Sequence, residues 1–238
     1  MRKYIFLIVL CLSLLAAAQV FAAEKPRIGV LRFTNHTHAS WWGYTSGTEL
    51  QDMLIAELAS TKAFRVLERQ ELDKVLSEQK LSESGLVEES TRLKPGRIKV
   101  AQYLVAATVS AFQEDTSGSD SGISIYGFHV GGAKKTAYMA VDLKVIDTQT
   151  GEIVNNRTVE ATSEGGGFSL SGSLGILGGN LGKQEKTPVG KAIRACVIES
   201  AAYLECSMTK PGDECIKKYE EKEKKRKDKT QKAIKLDE

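Results

Sequence analysis

The sequence predicts an α/β (α+β) fold: a compact mixed sheet with covering helices and two projecting β-hairpins. Three observations predict it. Val141 to Val154 reads strand–turn–strand: Met139, Val141, Leu143 and Val145 alternate, and Gly151 supplies the positive φ of a short hairpin loop. Elsewhere, short β runs are followed by apolar residues spaced three and four apart, the mark of one-faced helices. Two Gly- and Ser-rich stretches, Glu114 to Lys135 and Ser163 to Lys186, flank the signature and carry β-type alternation of their own.

Along the chain, residues 1–22 are expected to be a signal peptide. Arg2 and Lys3 precede an apolar run from Tyr4 to Ala18, and Val20-Phe21-Ala22 offers small residues to a signal peptidase. Cys11 lies inside the apolar run after Leu10, so it is not read as a lipidation site. Residues 23–210 then form the domain. Arg27 to Phe33 is a strand, and Asn35 to Gly47 a loop holding His36, His38, Trp41, Trp42 and Tyr44. A helix from Thr48 presents Leu50, Met53, Leu54 and Leu58 on one face. Phe64 to Leu67 is a strand, and a second helix presents Leu72, Val75 and Leu76. Ser82 to Lys99 is a polar linker with a short helix. Tyr103 to Val109 is apolar almost throughout, as a central strand is. Glu152 to Thr162 partners the strand that ends at Asp147. Thr187 caps a helix with Pro188 at its first position, and Val189, Ala192, Ile193, Cys196, Val197, Ala201 and Leu204 trace its apolar stripe. The charged tail, 211–238, is expected to be a solvated helix or unstructured; its basic run suits lipid headgroups or another polyanion.

A membrane-crossing barrel strand needs about 9 to 11 residues with alternating faces. In the first flank, Ile123 and Ile125 alternate with Ser124. The apolar phase then shifts to Phe128 and Val130, which places a bulge, or the hairpin tip near Gly131-Gly132. In the second, Phe168, Leu170, Gly172, Leu174 and Ile176 face one way and Ser169, Ser171 and Ser173 the other. The candidate lipid-facing residues are therefore Ile123, Ile125, Phe128, Val130, Phe168, Leu170, Leu174 and Ile176. The same segments also read as two loops over a soluble domain.

Chemistry is hard to place. Gly182-Lys183 is followed by Gln184, so the phosphate-loop spacing fails, and no nucleophile–base pattern appears. His36 and His38 have no third ligand in sequence, so no metal and no cofactor are predicted, and the protein is expected not to be an enzyme. Net charge is +3 over 238 residues, which gives no reason to expect nucleic acid. Cys206 and Cys215 flank the turn sequence Lys210-Pro211-Gly212-Asp213 and are candidates for a small disulfide; Cys196 reads as a buried thiol.

Val30 to Thr34, Phe64 to Gln70 with its Leu-Glu-Arg-Gln, and Val141 to Val154 with its Thr-Gly-Glu-Ile turn together resemble the curli production assembly/transport family, the CsgG-type secretion proteins. The resemblance runs from Pro26 to Leu204. It implies an exported domain of the periplasm or outer membrane that assembles into a homo-oligomeric ring. Each subunit lends two hairpins to one shared outer-membrane β-barrel. A loop after the first strand would line a constriction for unfolded polypeptide, which makes Trp41, Trp42 and Tyr44 the candidate constriction residues. Partners would be the secreted polypeptide and accessory periplasmic proteins, with no nucleotide hydrolysis. Two departures, the absent lipidation cysteine and a second hairpin short of aromatics, leave an alternative: a soluble periplasmic protein-binding module related to activators of cell-wall synthases.

Overall fold

The structure, a computed structural model, describes residues 24–115, 123–125, 128–130, 136–164, 167–169, 187–209 and 212–233. In chain order the elements are β1 (Arg27–Val30), β2 (Thr34–Asn35), α1 (Ser46–Thr61), β3 (Arg65–Val66), α2 (Leu72–Glu83) and a 3-10 turn at Glu89–Thr91. There follow β4 (Tyr103–Asp115), β5 (Ile123–Ile125), β6 (Phe128–Val130), β7 (Thr136–Asp147), β8 (Ile153–Glu164), β9 (Gly167–Ser169), α3 (Pro188–Thr209) and α4 (Asp213–Ala233). The expected signal peptide, 1–22, lies outside the described residues.

The sheet is mixed, in the order β3-β1-β4-β7-β8-β9, with β2 also on β4. β3, β1 and β4 run parallel, so a crossover helix, α1, must join β1 to β3. From β4 onward every neighbour in the described sheet is antiparallel. Gly151, at φ 77°, closes the β7–β8 hairpin, and its N–H donates to the Asp147 carbonyl.

Alternation decides which face is covered. Ala137, Met139, Val141, Leu143 and Val145 of β7 are buried, as are Val105 and Val109 of β4 and Val159 and Ala161 of β8. They meet Leu50, Leu54 and Leu58 of α1 and Ala192, Cys196 and Leu204 of α3. Each such large side chain removed from water stabilises the fold by about 1.5–3 kcal/mol. Cys196 is a free thiol at 0% exposure, and burial pushes its pKa up, so it packs as a small hydrophobe. A bulge at Ser110 shifts the register between Val109 and Ala111, after which Phe112, not Ala111, pairs with Met139. That turns Phe112 onto the helix-covered face.

The charged tail forms a docked helix as far as Ala233. α4 returns antiparallel to α3 through three contacts spaced along both helices. Cys206 and Cys215 are joined in a disulfide, the Tyr203 and Tyr219 rings meet edge-on at 5.1 Å, and Lys222 pairs with Glu199 at 2.7 Å. Arg157 of β8 stacks on both rings, at 5.2 and 4.9 Å, and donates to the Tyr219 carbonyl. A helix with so few apolar residues is held by these few anchors. Replacing Cys206 and Cys215 by serine should therefore destabilise the domain by about 2–3 kcal/mol, the entropy of so short a closed loop. Urea denaturation of the oxidised protein and the double variant checks this.

Burial also raises the phenols of Tyr203 and Tyr219, while Tyr138 is pushed up to about 12 by burial first and Glu160 second. Tyrosines of the unfolded chain titrate near 10. Raised folded values mean full stability below pH 10 and a loss as pH climbs from 10 toward 12. Melting temperatures taken from pH 9 to 12 should fall across that window; a flat profile would contradict it.

The apolar face of α2 is poorly covered: Val75 and Leu76 are more than a third exposed, and Leu86 and Val100 beyond it are 84% and 73% exposed. Only Ser82 of α2 is buried, accepting from the Leu93 N–H.

Candidate functional site

One end of the domain gathers the features of interest. β4 runs out there at Asp115 opposite Thr136, where β7 begins, and Thr136 is in turn opposite Glu164, where β8 ends. α3 starts at the same end, capped by the Thr187 hydroxyl, which accepts from the Gly190 N–H. The 36–45 loop arrives there too: β2 runs parallel to β4 with Asn35 opposite Val109, and the His36 N–H donates to the Val109 carbonyl.

Between β4 and β7 in sequence lies a separate two-stranded ribbon. β5 and β6 are antiparallel, with Ile123 opposite Val130, Ser124 opposite His129 and Ile125 opposite Phe128. Ile125 pairs with Phe128, so the chain turns back between them, whereas the sequence offered a bulge or a tip near Gly131-Gly132. The difference matters for the pattern. Directly opposed residues share a face of a two-stranded ribbon, so Ile123, Ile125, Phe128 and Val130 hold positions on one face, and Ser124 and His129 on the other. The apparent phase shift in the sequence is the turn itself.

The second flank behaves differently as far as it is described. After Glu164 the chain reverses and β9 pairs back along β8, with Phe168 opposite Ser163. Phe168 is therefore at a position on the sheet edge. Leu170, Leu174 and Ile176 lie outside the described residues.

In the 36–45 loop the three aromatics divide. Trp41 packs edge-on against Trp42 at 5.6 Å and against Phe112 at 5.8 Å, both tryptophans resting on the core. Tyr44 is 89% exposed. Its carbonyl accepts from the Arg32 guanidinium, whose Cζ lies 5.2 Å from the Tyr44 ring. The Asn35 carboxamide accepts from the Thr37 N–H and donates to the Thr37 carbonyl, and Ser46 Oγ accepts from the Gly43 N–H, fixing both ends of the loop. Trp41 Nε1 and Ser163 Oγ are buried here without a hydrogen-bond partner among the described residues. Such a group costs about 1–3 kcal/mol if left unpaired.

His36 and His38 are exposed on the same loop, and among the described residues no three His, Cys, Asp or Glu side chains gather in a metal-holding group. No described helix is long and apolar enough to cross a membrane.

Residues 10–234 match the family described as "Curli production assembly/transport component CsgG". The chain belongs to the CsgG family. Its similarity to the CsgG components of Salmonella typhimurium and Escherichia coli K12 is 23% identity over 161 residues, 64% of this chain and 58% of each relative. The match thus spans under two thirds of those relatives' length. Among solved structures, a hypothetical protein of Chlamydia trachomatis covers 76% of this chain and is itself 96% covered, at TM-score 0.44 and 14% identity. A PelC dodecamer from Paraburkholderia phytofirmans gives TM-score 0.37 at 13% identity, covering 74% of this chain and 86% of its own. The LpoB C-terminal domain of Salmonella enterica gives 0.31 at 18%, covering 63% and 90%. Among the described residues, the mixed sheet under the helices is open, not a closed barrel.

The sequence missed two elements of this end. The Ser110 bulge that turns Phe112 toward Trp41 has no sequence signal beyond a serine inside an apolar strand. The docking of α4 had one: Cys215, Tyr219, Lys222 and Arg226 recur at helical spacing within an otherwise uniformly charged run.

Proposed function

We propose that this protein is an exported subunit of an outer-membrane secretion channel of the CsgG kind. Copies assemble as a ring, each lends the Glu114–Lys135 hairpin to a shared β-barrel, and unfolded polypeptide diffuses through without nucleotide hydrolysis. The observation that carries the proposal is the β5–β6 register, which lines up Ile123, Ile125, Phe128 and Val130 on one face and Ser124 and His129 on the other. A lipid-facing barrel strand needs such a division. In sequence, Asp115 to Ile125 also holds about as many residues as a tilted strand needs to cross the hydrocarbon core.

The constriction, in this proposal, is presented by the 36–45 loop at the hairpin end. Tyr44 is its exposed aromatic, and Trp41 and Trp42 form the base that holds it. An aromatic ring in solvent offers weak, sequence-tolerant contacts to a passing chain. In planar bilayers, Tyr44→Ala should raise the conductance of reconstituted rings. The melting temperature should stay within about 2 °C, because an exposed side chain contributes little to stability.

The return of β9 along β8 favours a second reading for the other flank: 163–186 stays with the domain, as in a soluble protein-binding module. Membrane fractionation of the full chain, with detergent extraction and negative-stain imaging, separates the two. Detergent-dependent rings in the outer-membrane fraction are expected. A monomer in the soluble periplasmic fraction would replace the channel with the binding module.

A further inference from the structure

We propose that the lysine-rich end of α4 is a docking surface for an anionic phospholipid bilayer, a proposal that rests on the hairpin reading above. The three α3–α4 contacts set a register: Cys206 with Cys215, Tyr203 with Tyr219, Glu199 with Lys222. Continued at the same helical rise, it brings Lys232 beside Val189, in the first turn of α3. β8 reports the same direction. Arg157 bonds Tyr219, and Glu160 lies 3.7 Å from Arg226. Seven helical residues rise about 10.5 Å and three strand residues about 10 Å, so α4 and β8 advance together. The last turns of α4 therefore reach the end of the sheet where β4 stops at Asp115 and the hairpin departs. Hairpins in lipid would put that end against the inner leaflet.

Among the described residues from 224 on, Lys224, Lys225, Lys227, Lys229 and Lys232 are exposed, against one exposed acid, Asp228. Lys222 and Arg226 are occupied in docking, the first on Glu199 and the second on Glu223 and Glu160. Lys227 is shared with Glu223 at 3.6 Å. Lys225, Lys229 and Lys232 stand four and three residues apart and so share a face beside the docked one. Of the acids on the strands at this end, Glu114 and Asp115 belong to β4, separated from β8 by β7, and Glu164 is the last residue of β8. Juxtamembrane lysines are drawn to anionic leaflets within a Debye length.

The test uses the mature full chain, a quadruple variant with Lys224, Lys225, Lys229 and Lys232 changed to Gln, and a matched Lys-to-Arg variant. Vesicles of phosphatidylcholine alone and with a quarter phosphatidylglycerol are compared in 0.1 M salt. The Gln variant should bind the anionic vesicles roughly tenfold to a hundredfold more weakly, while the Arg variant binds like wild type. Phosphatidylglycerol binding that is unchanged in the Gln variant, or no preference for anionic vesicles in the wild type, would overturn the proposal. Carbonate-resistant insertion into neutral vesicles reports the hairpins separately. Its loss defeats the channel reading alone, whereas its persistence without lysine dependence defeats the lipid-docking proposal alone.

Discussion

Replacing Ile123 and Val130 together by lysine is expected to abolish stable membrane integration. The two residues are directly opposed in the ribbon, and they lie further from the tip than Ile125 and Phe128. A lysine on a lipid face costs about 2–4 kcal/mol at the bilayer midplane and about 0–1 near the interfaces. Two like charges opposite each other add repulsion. Every subunit of a ring carries the same pair, so the penalty recurs around the barrel. The chain should leave the carbonate-resistant membrane fraction while the domain keeps its melting temperature. Lysine at Ser124 and His129, on the opposite face, should leave integration intact. Equal loss from both pairs would argue against a two-faced strand.

Gly47→Val should be the most damaging single change in the domain, at about 3 kcal/mol or more. A Cβ at Gly47 would lie 2.5 Å from the Phe33 carbonyl oxygen, and 3.0 and 3.1 Å from the Arg32 side chain. The oxygen belongs to backbone that cannot swing aside, because the Phe33 N–H donates to the Gly47 carbonyl at 3.1 Å. This contact joins the end of β1 to the start of α1 across the base of the aromatic loop, so the substitution also displaces the Arg32–Tyr44 contact. Gly43→Val is the control: its Cβ meets nothing nearer than Ser46 Oγ at 3.9 Å. Urea denaturation should show a large shift in midpoint for Gly47→Val and a small one for Gly43→Val.

Much of the fold was legible because one-sided burial writes itself into the sequence. The alternation from Met139 to Val145 and the stripe from Val189 to Leu204 are the two surfaces that meet in the core, and both were readable residue by residue. Gly151 was readable because few other residues take positive φ cheaply. Less legible were features fixed by pairing partners distant in sequence. β4 continues past Val109 to Asp115 with β7 paired beside it, and only the pairing of Ile125 with Phe128 decides between the bulge and the Gly131-Gly132 tip that the sequence offered. Leu72, Val75 and Leu76 share one helical face by spacing, yet Val75 and Leu76 are more than a third exposed. Trp41, Trp42 and Tyr44 were found as a group. That Trp41 packs on Phe112, which the Ser110 bulge turns toward it, while Tyr44 faces water has no local signal in the sequence.

The central claim, that the Glu114–Lys135 hairpin lies in lipid as a two-faced strand pair, is tested most directly by single cysteines at 123, 124, 125, 128, 129 and 130. Buried Cys196 and the disulfide-bonded Cys206 and Cys215 leave these as the reactive thiols among the described residues. Membranes carrying each variant would be labelled with a lipid-soluble and a water-soluble thiol reagent. The expected result is lipid-phase labelling at 123, 125, 128 and 130 and aqueous labelling at 124 and 129. Aqueous labelling at all six positions would contradict a membrane-crossing hairpin.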